Sequence, residues 1–182
     1  MRIFLALVLI KISALLFAPT GIPLRVFSDA KVSNVPSDLL TAARFERLEN
    51  YAVTLAIADH VEPRGPGMPQ PESFLTLLRG RLLSGREKMA VFALENAYVG
   101  GEIYGWENAA SFCFAKSPAE LTLSDAATLL IHMRSPSNAW GNREGDLLAR
   151  RNAFLDRMAE NGYVTADVAE AAITQPLVHC GN

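Results

Sequence analysis

Residues 146–177 read DLLARRNAFLDRMAENGYVTADVAEAAITQPL, and two helices punctuated at both ends can be laid on them. From Asp146 to Asn161 the side chains of Leu147, Leu148, Phe154, Leu155 and Met158 recur at helical spacing, which predicts one inward apolar stripe. Gly162 supplies a residue free to turn left-handed where that helix stops. Thr165 can cap the next helix, and Pro176 closes it because proline cannot continue a helical ladder.

Toward the amino terminus the helical pattern persists. Thr122 and Asp125 form a capping-box-like start, with Asp in place of the usual Glu, for a helix that reaches Met133 before Pro136 ends the run. A buried helix is predicted from Trp106 to Ala115, and Gly100 and Gly101 can stop the helix before it. Phe74, Leu77, Leu78 and Leu82 make one apolar face and Met89, Phe92 and Ala93 another, with Gly85 between them, so two short helices are expected. The segment from Val61 to Pro71, VEPRGPGMPQP, holds too many prolines and glycines for helix or central strand and reads as the main internal loop. Before it, Ser37 is placed as the cap of a single helix running to His60, with Leu40, Ala43, Leu48, Ala52 and Leu55 inward and Arg44, Glu46, Arg47 and Glu49 off the stripe. Alternating strand patterns and repeats are absent, which makes the chain mainly α-helical.

The first residues differ in kind. Ile3 to Phe17, IFLALVLIKISALLF, is an apolar run interrupted by Lys11 and Ser13, and it is read as a membrane anchor or uncleaved signal segment within residues 1–27. Residues 28–182 are then one folded domain, with Ser28 to Pro36 as a stalk-like connector. The 182 residues, 50% of them apolar, suffice for one sizeable core, and a net charge of −2 gives no global field toward nucleic acid. His60, His132 and His179 lie far apart and the two cysteines lack metal-ligand spacing, so no metal site is expected from them. Cys113 and Cys180 could pair in an oxidising compartment, but Cys113 sits in an apolar stretch and a free, inert thiol is the expectation.

Residues 95–116, ENAYVGGEIYGWENAASFCFAK, lead to a more specific reading. Tyr98, Gly100, Tyr104, Gly105, Ala109, Ala110, Phe114 and Lys116, followed by LTLSDAATLL and the closing stretch from Ala149 to Leu177, resemble in order and spacing the carboxy-terminal half of the family 51 glycosyltransferase domain. That domain is the peptidoglycan-polymerising part of bifunctional penicillin-binding proteins. The resemblance covers Glu87 to Leu177, and joint order is far more specific than any one short motif.

What the resemblance implies is a truncated lysozyme-like helical domain on the periplasmic face of a bacterial inner membrane. Its ligand would be a lipid-linked peptidoglycan precursor or glycan strand, with cell-wall synthesis proteins as further partners and no nucleic acid. In the family, a glutamate following the first amphipathic helix takes the proton of the acceptor hydroxyl, and basic side chains, sometimes with a divalent metal, stabilise the departing lipid pyrophosphate. The site therefore needs a carboxylate facing a basic patch. No cofactor is called for beyond that metal.

In the family that glutamate directly precedes an aspartate, and here the helix ends Leu55-Ala56-Ile57-Ala58-Asp59-His60, so the base position falls on Ala58, and the family's second motif loop has no counterpart. The expected activity is thus impaired, with a non-catalytic cell-wall scaffold as the alternative. Glu62, or Glu72 near the second motif glutamate, is the candidate for a displaced base, and Arg86 and Lys116 are the candidates for substrate binding. Asp59, Glu102 and Glu107 carry no stronger claim. A lytic hydrolase would also need a cleft glutamate.

Overall fold

A computed structural model describes residues 27–60, 70–134 and 144–178. In chain order its helices and one hairpin are α1 (Ser37–Phe45), α2 (Glu49–His60), α3 (Gln70–Leu83), α4 (Arg86–Asn96), β1 (Tyr98–Gly100), β2 (Ile103–Tyr104), α5 (Trp106–Phe114), α6 (Leu123–Arg134), α7 (Glu144–Glu160) and α8 (Ala166–Ile173). The mainly helical expectation is met.

α6 is the axis of the fold. Every residue from Leu123 to Met133 is buried, including Asp125 and His132, because α1, α5, α7, α8 and β1 pack around it. Its start is the capping box expected from the sequence. The Thr122 amide donates to Asp125 Oδ2 at 2.9 Å, and the Asp125 amide donates to Thr122 Oγ1 at 3.3 Å. The Thr122 hydroxyl also donates to Gln175 Oε1, tying the end of α8 to this cap.

A second layer forms where α4 packs against α2 and α1. Met89 to Leu94 are all buried in it, and each fully buried Leu or Met contributes about 1.5–3 kcal/mol of transfer free energy. α7 and α8 close the carboxy-terminal side through Arg151. Its guanidinium, without exposed surface, donates from Nη1 to Ser124 Oγ and Gln175 O and from Nη2 to Ile173 O. Burial pushes its pKa down from the usual arginine value, and the charge of Asp125 offsets part of that.

Several expectations are corrected. Residues 28–36 are packed rather than stalk-like: Phe27, Ala30 and Val35 are core, Phe27 meets Phe92 edge to face at 5.2 Å, and Lys88 Nζ donates to the Ser28 carbonyl. Only part of the α3 face expected to be inward is so: Leu77 packs half-buried against the core, but Phe74 is 62% and Leu82 61% exposed, while Thr76 and Arg79 are buried. Leu148 is likewise exposed. Gly100 and Gly101 do not end a helix: Gly100 closes the first strand and Gly101 opens the turn of an antiparallel hairpin whose strands are too short to show a period. Cys113 is disulfide-bonded, since burial alone does not distinguish a thiol from a half-cystine.

Among the described residues no helix is long and apolar enough to cross a membrane. The anchor expected within residues 1–27 lies outside them but for Phe27, which packs in the core.

Candidate functional site

The helix expected to run unbroken from Ser37 to His60 stops after Phe45. Arg47 adopts φ 53°, its amide donates to Arg44 O at 3.1 Å, and the Leu48 amide reaches back to Ala43 O at 3.0 Å. This is a Schellman ending, which satisfies carbonyls that the helix would leave orphaned. An L side chain at left-handed φ costs about 1–2 kcal/mol, and such strain tends to collect where side chains must be aimed. α2 then starts afresh at Glu49. Glu49 itself is buried and receives Arg81 Nη2 at 3.0 Å, although its position in the pattern had placed it off the apolar stripe.

The consequence falls on Glu46, the residue that directly follows α1. Its carboxylate is mostly buried and accepts from Arg134 Nη1 at the last residue of α6. Both line a concavity of about 310 Å³ together with Arg150, Ala153, Phe154 and Arg157 of α7 and Leu130 and Ile131 of α6. Arg150 and Arg157 are seven residues apart, close to two helical turns, so they share a face. Neither forms an ion pair among the described residues. Three guanidinium groups against one carboxylate suit a ligand carrying two negative charges, with planar donors matched to phosphate oxygens.

Among the described side chains, neither Arg86 nor Lys116 lines this pocket. Ala58 lies in the last turn of the second helix rather than after the first. Glu62 is outside the described residues, and Glu72 stands in the first turn of α3, where the backbone alone is described. Arg86 opens α4 in an exposed position, and Lys116 donates to Asp125 Oδ2 at the α6 cap. Glu46 was missed because nothing in the apolar spacing marks the break beside it. Its signal, a charged αL residue, leaves no pattern.

As for a divalent metal, no cluster of three or more His, Cys, Asp or Glu side chains able to hold one exists among the described residues. The cationic lining of the pocket is the wrong donor set for a metal ion.

Comparison with known proteins bears on this geometry. Residues 72–159 match the transglycosylase family model. Penicillin-binding protein 1A of Aquifex aeolicus is 37% identical over 94 residues, covering 50% of this chain and 13% of that protein. Penicillin-binding protein 1A of Rickettsia felis is 32% identical over 108 residues, covering 59% and 14%. This chain therefore spans about one seventh of the length of these relatives. The crystal structure of penicillin-binding protein 1A from Haemophilus influenzae superposes with a TM-score of 0.50 at 25% identity, covering 82% of this chain and 17% of that one. Residues 72–159 are thus a transglycosylase segment, and the chain that carries them is a relative of the family 51 glycosyltransferase domain.

Proposed function

We propose that this chain binds a lipid-linked disaccharide pyrophosphate or a growing glycan strand as a shortened transglycosylase module, with Glu46 in the role of the base. The observation that carries the reading is the position of Glu46, directly after the first helix and facing Arg134, Arg150 and Arg157 in one pocket. A carboxylate opposed to a basic patch is what the resemblance to the family demands. The alternative, with the base position at Ala58 ahead of Asp59, leaves no carboxylate there to take a proton.

In the reaction so assigned, a pyrophosphate entering the pocket recruits the arginines, and Arg134 leaves Glu46 for it. The freed carboxylate takes the proton of the acceptor hydroxyl as its oxygen attacks the anomeric carbon. The bond from that carbon to the pyrophosphate oxygen breaks, and the guanidinium groups neutralise the charge on the leaving group. The disulfide at Cys113 fits an oxidising, extracytoplasmic compartment.

The test is polymerisation and binding of labelled lipid-linked precursor by the detergent-solubilised chain, with Glu62→Gln and Glu72→Gln as comparison variants. Strand synthesis that falls at least a hundredfold in Glu46→Gln, while binding persists, supports the assignment. Precursor bound without product, and lost in Arg157→Ala, favours the scaffold alternative. Full activity in Glu46→Gln with loss in Glu62→Gln or Glu72→Gln overturns the role given to Glu46.

A further inference from the structure

The hairpin between α4 and α5 presents a surface that the arginine pocket does not use. Tyr98 and Tyr104 face each other across the strands, their ring centroids 5.2 Å apart and their planes tilted by 47°, while Val99 and Ile103 point into the core. A two-residue turn, Gly101 and Glu102 with φ of 56° and 67°, closes the hairpin. At its base, Gly105 has φ 79° and donates its amide to Ala97 O at 3.0 Å; a side chain there would come within 2.6 Å of the Glu95 carbonyl. Only glycine fits that contact, so the strands are clamped to the end of α4 and the tyrosines are held in place.

Mutual packing of the two rings accounts for hairpin stability, worth roughly 0.2–1 kcal/mol across a strand pair, but not for the exposure that remains. Tyr104 is 57% exposed and Tyr98 38%. Glu102 stands exposed in the turn that joins their strands, and Glu107 and Asn108 lie in the first turn of α5, which follows Tyr104 and Gly105 directly. Asn108 Nδ2 donates to Tyr104 O, fixing the second ring's backbone.

We infer that the Tyr98–Tyr104 hairpin is a saccharide-binding subsite, with the C–H face of a pyranose on the Tyr104 ring and its hydroxyls donating to the surrounding carboxylates. The choice of ligand rests on the transglycosylase reading; the chemistry of the surface stands apart from it. Exposed aromatic faces with polar edges suit a ligand that is apolar on one side and hydroxylated at its rim. The acidic surround accepts hydroxyl protons and repels a pyrophosphate, which divides the work between this surface and the arginine pocket. Burial, and then the charge of Glu107, raises the pKa of Glu95, although contacts from Lys31 oppose the shift.

The experiment titrates the full detergent-solubilised chain with the β-1,4-linked tetramer of N-acetylglucosamine, which carries no phosphate or lipid, by calorimetry and saturation-transfer NMR. Tyr104→Ala should weaken binding about tenfold and Tyr104→Phe less than about threefold, because the ring is kept. Circular dichroism confirms that the variants fold. No tetramer binding by the parent chain, or binding unchanged in the Tyr98→Ala, Tyr104→Ala double variant, overturns the subsite. Lipid-linked precursor is titrated in parallel, with Arg157→Ala as the control at the pocket. Precursor binding that depends on Arg157, beside a tetramer indifferent to the tyrosines, sinks the subsite alone; tyrosine-dependent tetramer binding without precursor binding sinks the transglycosylase reading alone.

Discussion

α7 and α1 end in the same backbone motif with different residues at its critical point. At the end of α7, Gly162 takes φ 72°, its amide donates to Ala159 O, and the Tyr163 amide reaches back to Met158 O, both at 2.9 Å. At the end of α1, Arg47 and Leu48 make the corresponding bonds to Arg44 and Ala43. The two ends touch: Phe45 packs edge to face on Phe154 at 5.2 Å and on Tyr163 at 5.3 Å. One stop is written in glycine and readable, whereas the other is imposed by packing and carries strain. The strained one adjoins Glu46.

The largest expected effect comes from removing what joins the two ends. Phe154 is nearly fully buried beneath them, so Phe154→Ala should lower unfolding free energy by about 3–5 kcal/mol. Tyr163, half exposed, should cost less than about 1 kcal/mol when replaced by alanine. Urea titrations with equal m-values would measure both. Equal losses would mean that Phe45 is not held between the rings as described.

Next comes the restart of the chain after Arg47. Glu49 is 4% exposed and paired with Arg81, so Glu49→Ala should cost about 2 kcal/mol by leaving a partly buried cation short of its acceptor. On the outward face of α3, Phe74→Ser should shift stability by less than about 0.5 kcal/mol. The reverse ranking would mean that α3 packs with its apolar face inward, as its pattern suggests.

The two stops can then be compared directly. Gly162→Ala meets open space, so its cost is conformational alone, about 1 kcal/mol. Arg47→Gly should gain a similar amount, about 1 kcal/mol, by removing a side chain from left-handed φ. Opposite signs at equivalent positions would confirm one motif in two sequence forms. A loss in Arg47→Gly would show that the Arg47 side chain does more than turn the chain.

This contrast explains how far the sequence could be read. Helices from Leu123 onward were legible because they carry their own punctuation: the Thr122 and Asp125 box, Gly162, Thr165. Before them the chain relies on tertiary contact. Between Phe45 and Glu49 the apolar spacing continues although the helix does not, and α3 buries Thr76 and Arg79 while Phe74 and Leu82 of its apparent face stay exposed. The hairpin escaped because its strands are three and two residues long. The pocket was hidden for the same reason as the break, since its carboxylate and its arginines come from α1, α6 and α7, far apart in sequence.

The smallest effects separate a written helix start from one that only looks written. Thr165 accepts from the Val168 amide at 3.4 Å, a long cap bond, so Thr165→Ala should cost about 0.5–1 kcal/mol. Ser37, expected from its residue type to cap the first helix, is instead the first residue inside α1. Pro36 stands at the cap position with no side-chain hydrogen bond, and the Leu40 amide donates to the Pro36 carbonyl at 2.9 Å. Its fixed φ preorganises the entry without needing an acceptor side chain. Ser37→Ala should therefore change stability by less than about 0.3 kcal/mol, within the range of surface substitutions. A loss as large as that of Thr165→Ala would place a capping bond at Ser37 after all, shifting the start of α1 by one residue and bringing the other end of the helix that aims Glu46 under side-chain control.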